Sequence, residues 1–224
     1  WDKYCHPFHL MSRFSYIEGG NHRLVDSFAE NTRMEIKLNA EVTQVSRGNN
    51  EVTLRMEKEE ARFDKLVFAT GPDEALGVLD SPTATEAQIL GNIDTNTLTS
   101  TLHRRPYGCH DGDVTLNMYG DDRESTHMVT TWGNKKCFGI ELPEEIYTSL
   151  HQADKEPIDD GDILVQRTFK VPVQTAGTSG VADRLEKLNE ESDNIYYCGS
   201  YFCPSYYHED GINSAVSLSQ RLLE

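Results

Sequence analysis

Two short apolar runs, "KLVFAT" at Lys65–Thr70 and "IYYC" at Ile195–Cys198, each stop at a glycine, Gly71 in one case and Gly199 in the other. A run that is apolar at every position, not at alternate ones, suits a strand buried on both faces in a sheet covered by helices. Strands whose carboxyl ends carry a ligand site in open α/β sheets end in this way. The two runs are therefore expected as neighbours in one sheet, despite the long stretch of chain between them.

Other segments follow a different period. Met34, Ile36 and Leu38, then Val42 and Val45, then Val52, Leu54 and Met56 alternate with polar residues, and Gly48-Asn49-Asn50 supplies a turn. This predicts a β-meander from Met34 onward that leads into the first apolar run. Ahead of it, Asn21 caps a helix expected to about Glu30, with Leu24, Val25 and Phe28 at helical spacing. After it, "DEALGVL" and "TATEAQILGNI" read as helices, the second with Thr83 and Thr85 as candidate caps. "TLTSTLHR", "DVTLNMY" and "HMVTTWG" read as strands of a separate antiparallel sheet from about Thr95 to Phe169, with "DILVQRTF" as a further strand. "QADKEPIDDGD" is a solvated acidic loop, and a helix is expected from about Val181 to Asn189. Gly211 is expected to open the final, apolar-periodic helix. The fold class is α/β (α+β), without internal repeats.

Bulk properties narrow the function. With 224 residues, 37% of them hydrophobic, the chain can bury a core as one domain or two small ones. A formal charge of -16 opposes binding to phosphate backbones and anionic membrane surfaces, so nucleic acid is not an expected partner. The five cysteines form no C-x-x-C pair and are odd in number, which fits a reducing cytoplasm. No apolar run approaches the roughly 18 residues of a membrane span, and no charged-then-apolar leader is present. "WDKYCHPFHLMSRF", beginning at Trp1, reads as the start of a piece of something longer.

Most catalytic patterns are missing. His6 and His9 have no carboxylate or cysteine at a spacing that suits zinc, and no G-x-S-x-G elbow or phosphate-binding lysine loop occurs. Cys198 and Cys203 lie too far apart for a redox pair and read as inert thiols. Trp132, Tyr119 and His103 fall on strands, where core packing is the better reading.

Three pieces taken together, "EVTQVSRGNNEVTLRM…FDKLVFAT", "GGNHRLVDSF" and "YYCGSYF…HEDGINSA", resemble the flavin-containing amine oxidase superfamily, in particular its predicted NAD/FAD-binding oxidoreductases. The resemblance spans nearly the whole chain and implies FAD as cofactor and a small-molecule substrate. It implies that the backbone at Val42 lies beside the adenine, and that Thr70 and Gly71 approach the phosphate and ribityl region. Gly199 and Ser200 would meet the pyrophosphate or ribityl chain, and Gly211, Ile212 and Asn213 the flavin pyrimidine edge. Independently of any family, a helix N-terminus stabilises the anion that develops on a reduced flavin, and a glycine there lets backbone approach a ring. Tyr206, Tyr207 and His208 occupy the loop whose aromatic residues flank substrate in such enzymes, making Tyr207 and His208 the candidate catalytic side chains. Glu209 and Asp210 read as ordinary dipole compensation.

The same superfamily begins with a G-x-G-x-x-G turn, and here no two of the sixteen glycines are separated by a single residue. The expectation is that the chain is the later part of a longer flavoprotein, or else a truncated product that has lost the cofactor. The expected layout is an opening substrate-side segment 1–33, a FAD-side meander and strand 34–80, a substrate domain 81–190 and a FAD-side strand and helix 191–224. That corresponds to part of a Rossmann-like FAD domain plus an antiparallel-sheet substrate domain. The leading function is an FAD-dependent oxidoreductase; the alternative is a cofactor-free binding or scaffold module derived from the same fold.

Overall fold

The computed structural model describes residues 17–108, 115–119, 127–138, 141–152, 158–173, 175, 178, 180–203 and 208–223. Two compact units divide the chain, residues 1–39 and 40–224. In the first, α1 (His22–Asn31) is an amphipathic helix close to its expected span, and Leu24, Val25 and Phe28 all stay exposed.

The second unit opens with an antiparallel sheet of β1 (Val42–Arg47), β2 (Val52–Met56) and β3 (Glu60–Phe63), in that order. The expected meander begins later than its pattern suggested. Met34, Ile36 and Leu38 lie outside any strand and are exposed, because alternation alone offers them no neighbour to pair with. β4 (Leu66–Phe68) follows, then α2 (Pro72–Val78) and α3 (Ala84–Gly91). Far along the chain, α5 (Val181–Glu190) leads into β10 (Ile195–Tyr197), which pairs parallel with β4 in the register Ile195 to Leu66, Tyr196 to Val67 and Tyr197 to Phe68. The two apolar runs are thus neighbours in one sheet, as their composition predicted. Tyr197 stacks on Phe68 with ring centroids 5.6 Å apart.

The main core surrounds this pair. Val45, Val52, Phe68, Ala75, Leu79, Ile89, Leu90, Ile93, Val181, Leu185, Leu188, Ile195 and Tyr197 form one buried cluster, so α3 and α5 pack with β1, β2, β4 and β10. Glu86, only 2% exposed, stands inside it. Glu86 first caps its own helix: Thr83 N–H donates to Oε2 at 2.7 Å, and Glu86 N–H donates to Thr83 Oγ1 at 3.1 Å. Its Oε1 then accepts from Arg47 Nη2 at 2.5 Å and from Tyr197 O–H at 2.8 Å. Burial alone would push the Glu86 carboxyl up, but the Thr83 amide, Arg47 and Tyr197 outweigh it and hold the group below the usual carboxylate range.

A five-stranded antiparallel sheet occupies the middle of the chain, built from β5 (Thr95–His103), β6 (Thr115–Tyr119), β7 (His127–Gly133), β8 (Tyr147–Gln152) and β9 (Ile163–Pro172), in the order β6-β7-β8-β5-β9. A short helix, α4 (Asn134–Phe138), follows β7. Strand β8 had no expectation attached to it. Leu98 and Leu102 of β5 are half-buried and Val129 of β7 is fully buried, while Leu116 of β6 lies outside the described side chains.

One face of this sheet is a buried polar layer. Thr99, Thr101, His103, Thr131, Ser149 and His151 are each at most 3% exposed. Carbonyl oxygens fix the tautomers. His103 Nδ1–H donates to Arg105 O at 2.6 Å and His151 Nδ1–H to Gln152 O at 2.8 Å. The remaining nitrogens must accept, so Ser149 O–H donates to His103 Nε2 at 2.8 Å and Thr131 O–H to Ser149 Oγ at 2.7 Å. Likewise Thr101 O–H donates to His151 Nε2 at 3.1 Å while taking Gln166 Nε2–H, also at 3.1 Å. Every member is satisfied, which is the condition under which such a layer is stable.

Two outcomes follow from these networks. Tyr197→Phe removes a hydrogen bond to a buried carboxylate and is expected to cost about 1–3 kcal/mol in denaturant unfolding. Burial pushes the His103 imidazole down from its ordinary value, and the nearby His151 does so too, against the opposing pull of Arg105 O and Asp162. The native state therefore resists a proton that the unfolded chain takes up near pH 6.5, and stability falls as pH drops below that value until the lower native pKa is reached. Unfolding midpoints compared at about pH 7.5 and 5.5 should show a loss that His103→Gln reduces.

Candidate functional site

The carboxyl ends of β4 and β10 lie side by side because the pair is parallel and in register, with Cys198 N–H donating to Phe68 O at 2.9 Å. Thr70-Gly71 continues one strand and Gly199-Ser200 the other. Crevices outside the carboxyl ends of parallel strands are where open α/β sheets take their ligands.

All of the sequence-predicted site residues except Tyr207 lie among the described residues. Val42 is the first residue of β1, an edge strand of its sheet, and is half-buried against the main core. On the open side of β1, Val45 O accepts Asp80 N–H at 2.9 Å. Thr70 is exposed, and Gly71 caps α2, where its N–H is taken by Glu74 Oε2 at 3.0 Å. Asp73, in the same first turn, accepts at Oδ2 from Lys170 Nζ of β9 at 2.5 Å, and that contact, with burial opposing, holds its carboxyl down. Its other oxygen, Oδ1, is buried without a hydrogen-bond partner.

Gly199 has φ +154, and a Cβ there would stand 2.5 Å from a ring carbon of Tyr201. No other residue type fits without moving the ring. Gly199 N–H donates to Ser214 Oγ at 2.9 Å, and Ser214 O–H in turn donates to Gly211 O at 2.8 Å, so this serine pins the strand end to the last helix. Ser200–Phe202 then form a 3-10 turn, whose first amides have no partner within the turn. The Tyr201 hydroxyl is a second orphan, buried with no hydrogen-bond partner, and burial pushes it far up from the ordinary phenol range.

The last helix, α6 (His208–Leu223), starts three residues earlier than the glycine that was expected to open it. Glu209 and Asp210 fall inside its first turn, where carboxylates stabilise the positive helix end. The amides left free by helix geometry are therefore those of the turn from His208, while Ile212 and Asn213 N–H point to carbonyls one turn back. His208 and Ile212 are exposed; Tyr207 lies outside the described residues. Gly211 faces Ser200, with an added Cβ at 3.6 Å from Ser200 N. On the neighbouring face of α6, Asp210, Asn213, Ser214 and Arg221 line a groove of about 290 Å³ together with Phe202 and Cys203.

Sequence reasoning did not find Tyr201, Asp73 or Ser214 as parts of this corner. The signal was present only for Ser214, three residues after Gly211 in a segment already singled out. Among the described residues there is no cluster of three or more potential metal ligands.

Two glycines separate conformation from contact. Gly199→Ala meets both the positive φ and the Tyr201 ring and is expected to cost about 1–3 kcal/mol. Gly211→Ala enters ordinary van der Waals space within a helix and should be neutral or stabilising by up to about 1 kcal/mol. Thermal and denaturant unfolding of the two variants checks the contrast.

Residues 4–223 match the family model described as flavin containing amine oxidoreductase. Among solved structures, the chain is similar to a CLA-producing fatty acid isomerase from P. acnes (TM-score 0.62, 12% identity, 90% of this chain and 52% of that one). It is similar to cyclohexylamine oxidase from Brevibacterium oxydans IH-35A (TM-score 0.61, 13% identity, 92% and 53%). Putrescine oxidase bound to putrescine is a further match (TM-score 0.55, 11% identity, 92% and 53%). The chain thus spans about half the length of these structures, and at such identities the likeness concerns the fold alone. No curated protein matches the sequence. With nearly every residue inside the family match, this chain belongs to the flavin-containing amine oxidoreductase family.

Proposed function

We propose that the chain is the later part of an FAD-dependent oxidoreductase of amine-oxidase type. The observation that carries this reading is the parallel pairing of β4 with β10, which brings Thr70-Gly71 and Gly199-Ser200 to one crevice. Bound FAD would supply the acceptor for a hydride taken from a substrate carbon.

The residues present fit such a group. Two buried polar atoms, Asp73 Oδ1 and the Tyr201 hydroxyl, lack partners beside the two glycine ends, one an acceptor suited to a sugar or ribityl hydroxyl and the other a donor. Ser200 and Tyr201 N–H suit a phosphate or ring oxygen, since Gly199 N–H is already used by Ser214. Gly199 is there for its positive φ and the closeness of the Tyr201 ring, while Thr70 offers its exposed hydroxyl. The edge of β1 at Val42 suits a base, and Gly211 admits backbone close to Ser200. Ile212 and Asn213 border the ring side, and His208 with Tyr207 remain the candidates for substrate contact.

A second feature supports incompleteness of the nucleotide side. Asn189 clamps Tyr197 on the outer edge of β10, donating Nδ2–H to Tyr197 O and accepting Tyr197 N–H, both at 2.8 Å. On the outer edge of β4 no strand of the described residues lies, and Val67 is 39% exposed. A dinucleotide-binding strand added there would continue the parallel sheet. Segments 34–80 and 191–224 form the FAD side in this reading, the five-stranded sheet within 81–190 is the substrate lobe, and residues 1–33 belong with the substrate side.

Among the described residues no helix is long and apolar enough to cross a membrane. The cytoplasm is the proposed compartment, in keeping with Cys137, Cys198 and Cys203 forming no disulfide. The partner is a small molecule and not a nucleic acid. The alternative, a cofactor-free module of the same fold, draws on the acidic first turns of α2 and α6, which disfavour an anion there.

Absorption spectroscopy separates the two. Expressed with its dinucleotide-binding segment, the protein should carry oxidised flavin with bands in the blue and near ultraviolet. Gly211→Val should lower the flavin content by crowding the approach to Ser200, without altering the near-ultraviolet dichroism of Trp132. A colourless protein that takes up no added FAD would leave the scaffold reading.

A further inference from the structure

One side chain of the last helix grips the end of β10. Ser214 Oγ accepts Gly199 N–H at 2.9 Å, and its own proton faces two carbonyls, Gly211 O at 2.8 Å and Gly199 O at 3.2 Å. The bond to Gly211 O means little by itself, because helical serines commonly bond a carbonyl one turn back without net gain. Ser219 of the same helix makes just that bond, to Val216 O at 2.8 Å, from an exposed position. What sets Ser214 apart is that it meets both polar groups of a residue 15 positions earlier in the chain.

Gly199 is the residue in this corner that most needs holding. Its φ of +154 lies where only glycine goes readily, and a glycine has more conformational freedom to lose than any other residue. Ser214 takes its N–H, and Phe202 N–H donates to its carbonyl at 3.2 Å, so the conformation is fixed from both sides. The Tyr201 ring lies directly against Gly199, where a Cβ would stand 2.5 Å from a ring carbon, and the Tyr201 hydroxyl is buried without a partner. One turn before Ser214, on the same side of α6, Gly211 stands over Ser200, with room for a Cβ at 3.6 Å from the Ser200 amide nitrogen. The helix thus occupies the Gly199 amide and leaves space at the next one.

We propose that Ser214 is a positioning residue for the flavin corner: by holding Gly199 at its positive φ it fixes, before any ligand binds, the directions in which Ser200 and Tyr201 meet the cofactor. The proposal rests on the reading of this corner as a flavin site and adds the group that preorganises it. Ser214 itself is fully engaged with protein backbone and contributes no contact to the cofactor.

Hydrogen–deuterium exchange of the flavin-free protein and its titration with FAD test the proposal, with the protein expressed together with its dinucleotide-binding segment. Ser214→Ala should speed exchange in peptides covering Gly199–Cys203 about three- to tenfold and weaken FAD by a similar factor, the effect of one lost hydrogen bond. Ser214→Thr keeps the hydroxyl and should recover most of both, while Ser219→Ala, which removes only a local helix bond, should change neither. Exchange across Leu66–Phe68 should stay at the parent's rate in every variant, which separates positioning from general loosening. Unaltered exchange in Ser214→Ala, an equal effect of Ser219→Ala, or FAD affinity no better in Ser214→Thr than in Ser214→Ala would each overturn the proposal. FAD bound equally by the parent and by Ser214→Ala would overturn this role alone, whereas a parent that takes up no FAD would bring down the flavin reading and this role with it.

Discussion

One buried carboxylate holds together the elements on which the corner at the ends of β4 and β10 depends. Glu86 ends the N-terminal turn of α3, takes the Arg47 guanidinium from β1 and takes the Tyr197 hydroxyl from β10. Tyr197 in turn stacks on Phe68 of β4. A charge left unpaired at this depth would cost several kcal/mol, so the network is stable only when all its members are in place. That requirement fixes β1, β4 and β10 relative to one another before any ligand arrives. It is a physical reason for the two glycine ends to lie in one crevice.

The other sheet solves a different problem. Its inner face carries hydroxyls and imidazoles instead of leucines, and the cost of burying them is offset by complete hydrogen bonding across β5, β7, β8 and β9. Such a layer contributes rigidity and register more than hydrophobic free energy. It also frees the aliphatic and aromatic residues for the opposite face. Lys170 of β9 meets Asp73 of α2 across the junction between the five-stranded sheet and the main core, an exposed pair that gives orientation more than stability.

How much of this was legible depended on whether a residue's neighbours were local. The apolar runs at Lys65 and Ile195 announced a shared sheet because full burial imposes a continuous pattern whatever the partner. β8 stayed hidden because its inward residues are Tyr147, Ser149 and His151, which break the apolar alternation that marks a strand. The meander was placed too early since Met34, Ile36 and Leu38 show the right period without any strand to meet. The last helix was started at a glycine, but two carboxylates before it, at Glu209 and Asp210, already satisfied the preference of a first turn. Thr83 was visible as a cap but Glu86 was not singled out, because Tyr197, its partner in the core, lies 111 positions away. Orphaned atoms such as Asp73 Oδ1 and the Tyr201 hydroxyl have no sequence signature, since burial and the absence of a partner are both tertiary facts.

The central claim is that the ends of β4 and β10 together form the flavin-facing corner. Backbone amide resonances followed by NMR during titration with FAD test it directly, because each strand end contributes its own amides. The account predicts that Thr70, Gly71, Gly199, Ser200 and Tyr201 shift together with one apparent affinity, while Thr101, Thr131 and Ser149 in the polar layer stay where they are. Shifts confined to the five-stranded sheet, or saturation with FAD that leaves Gly199 to Tyr201 unmoved, would contradict it.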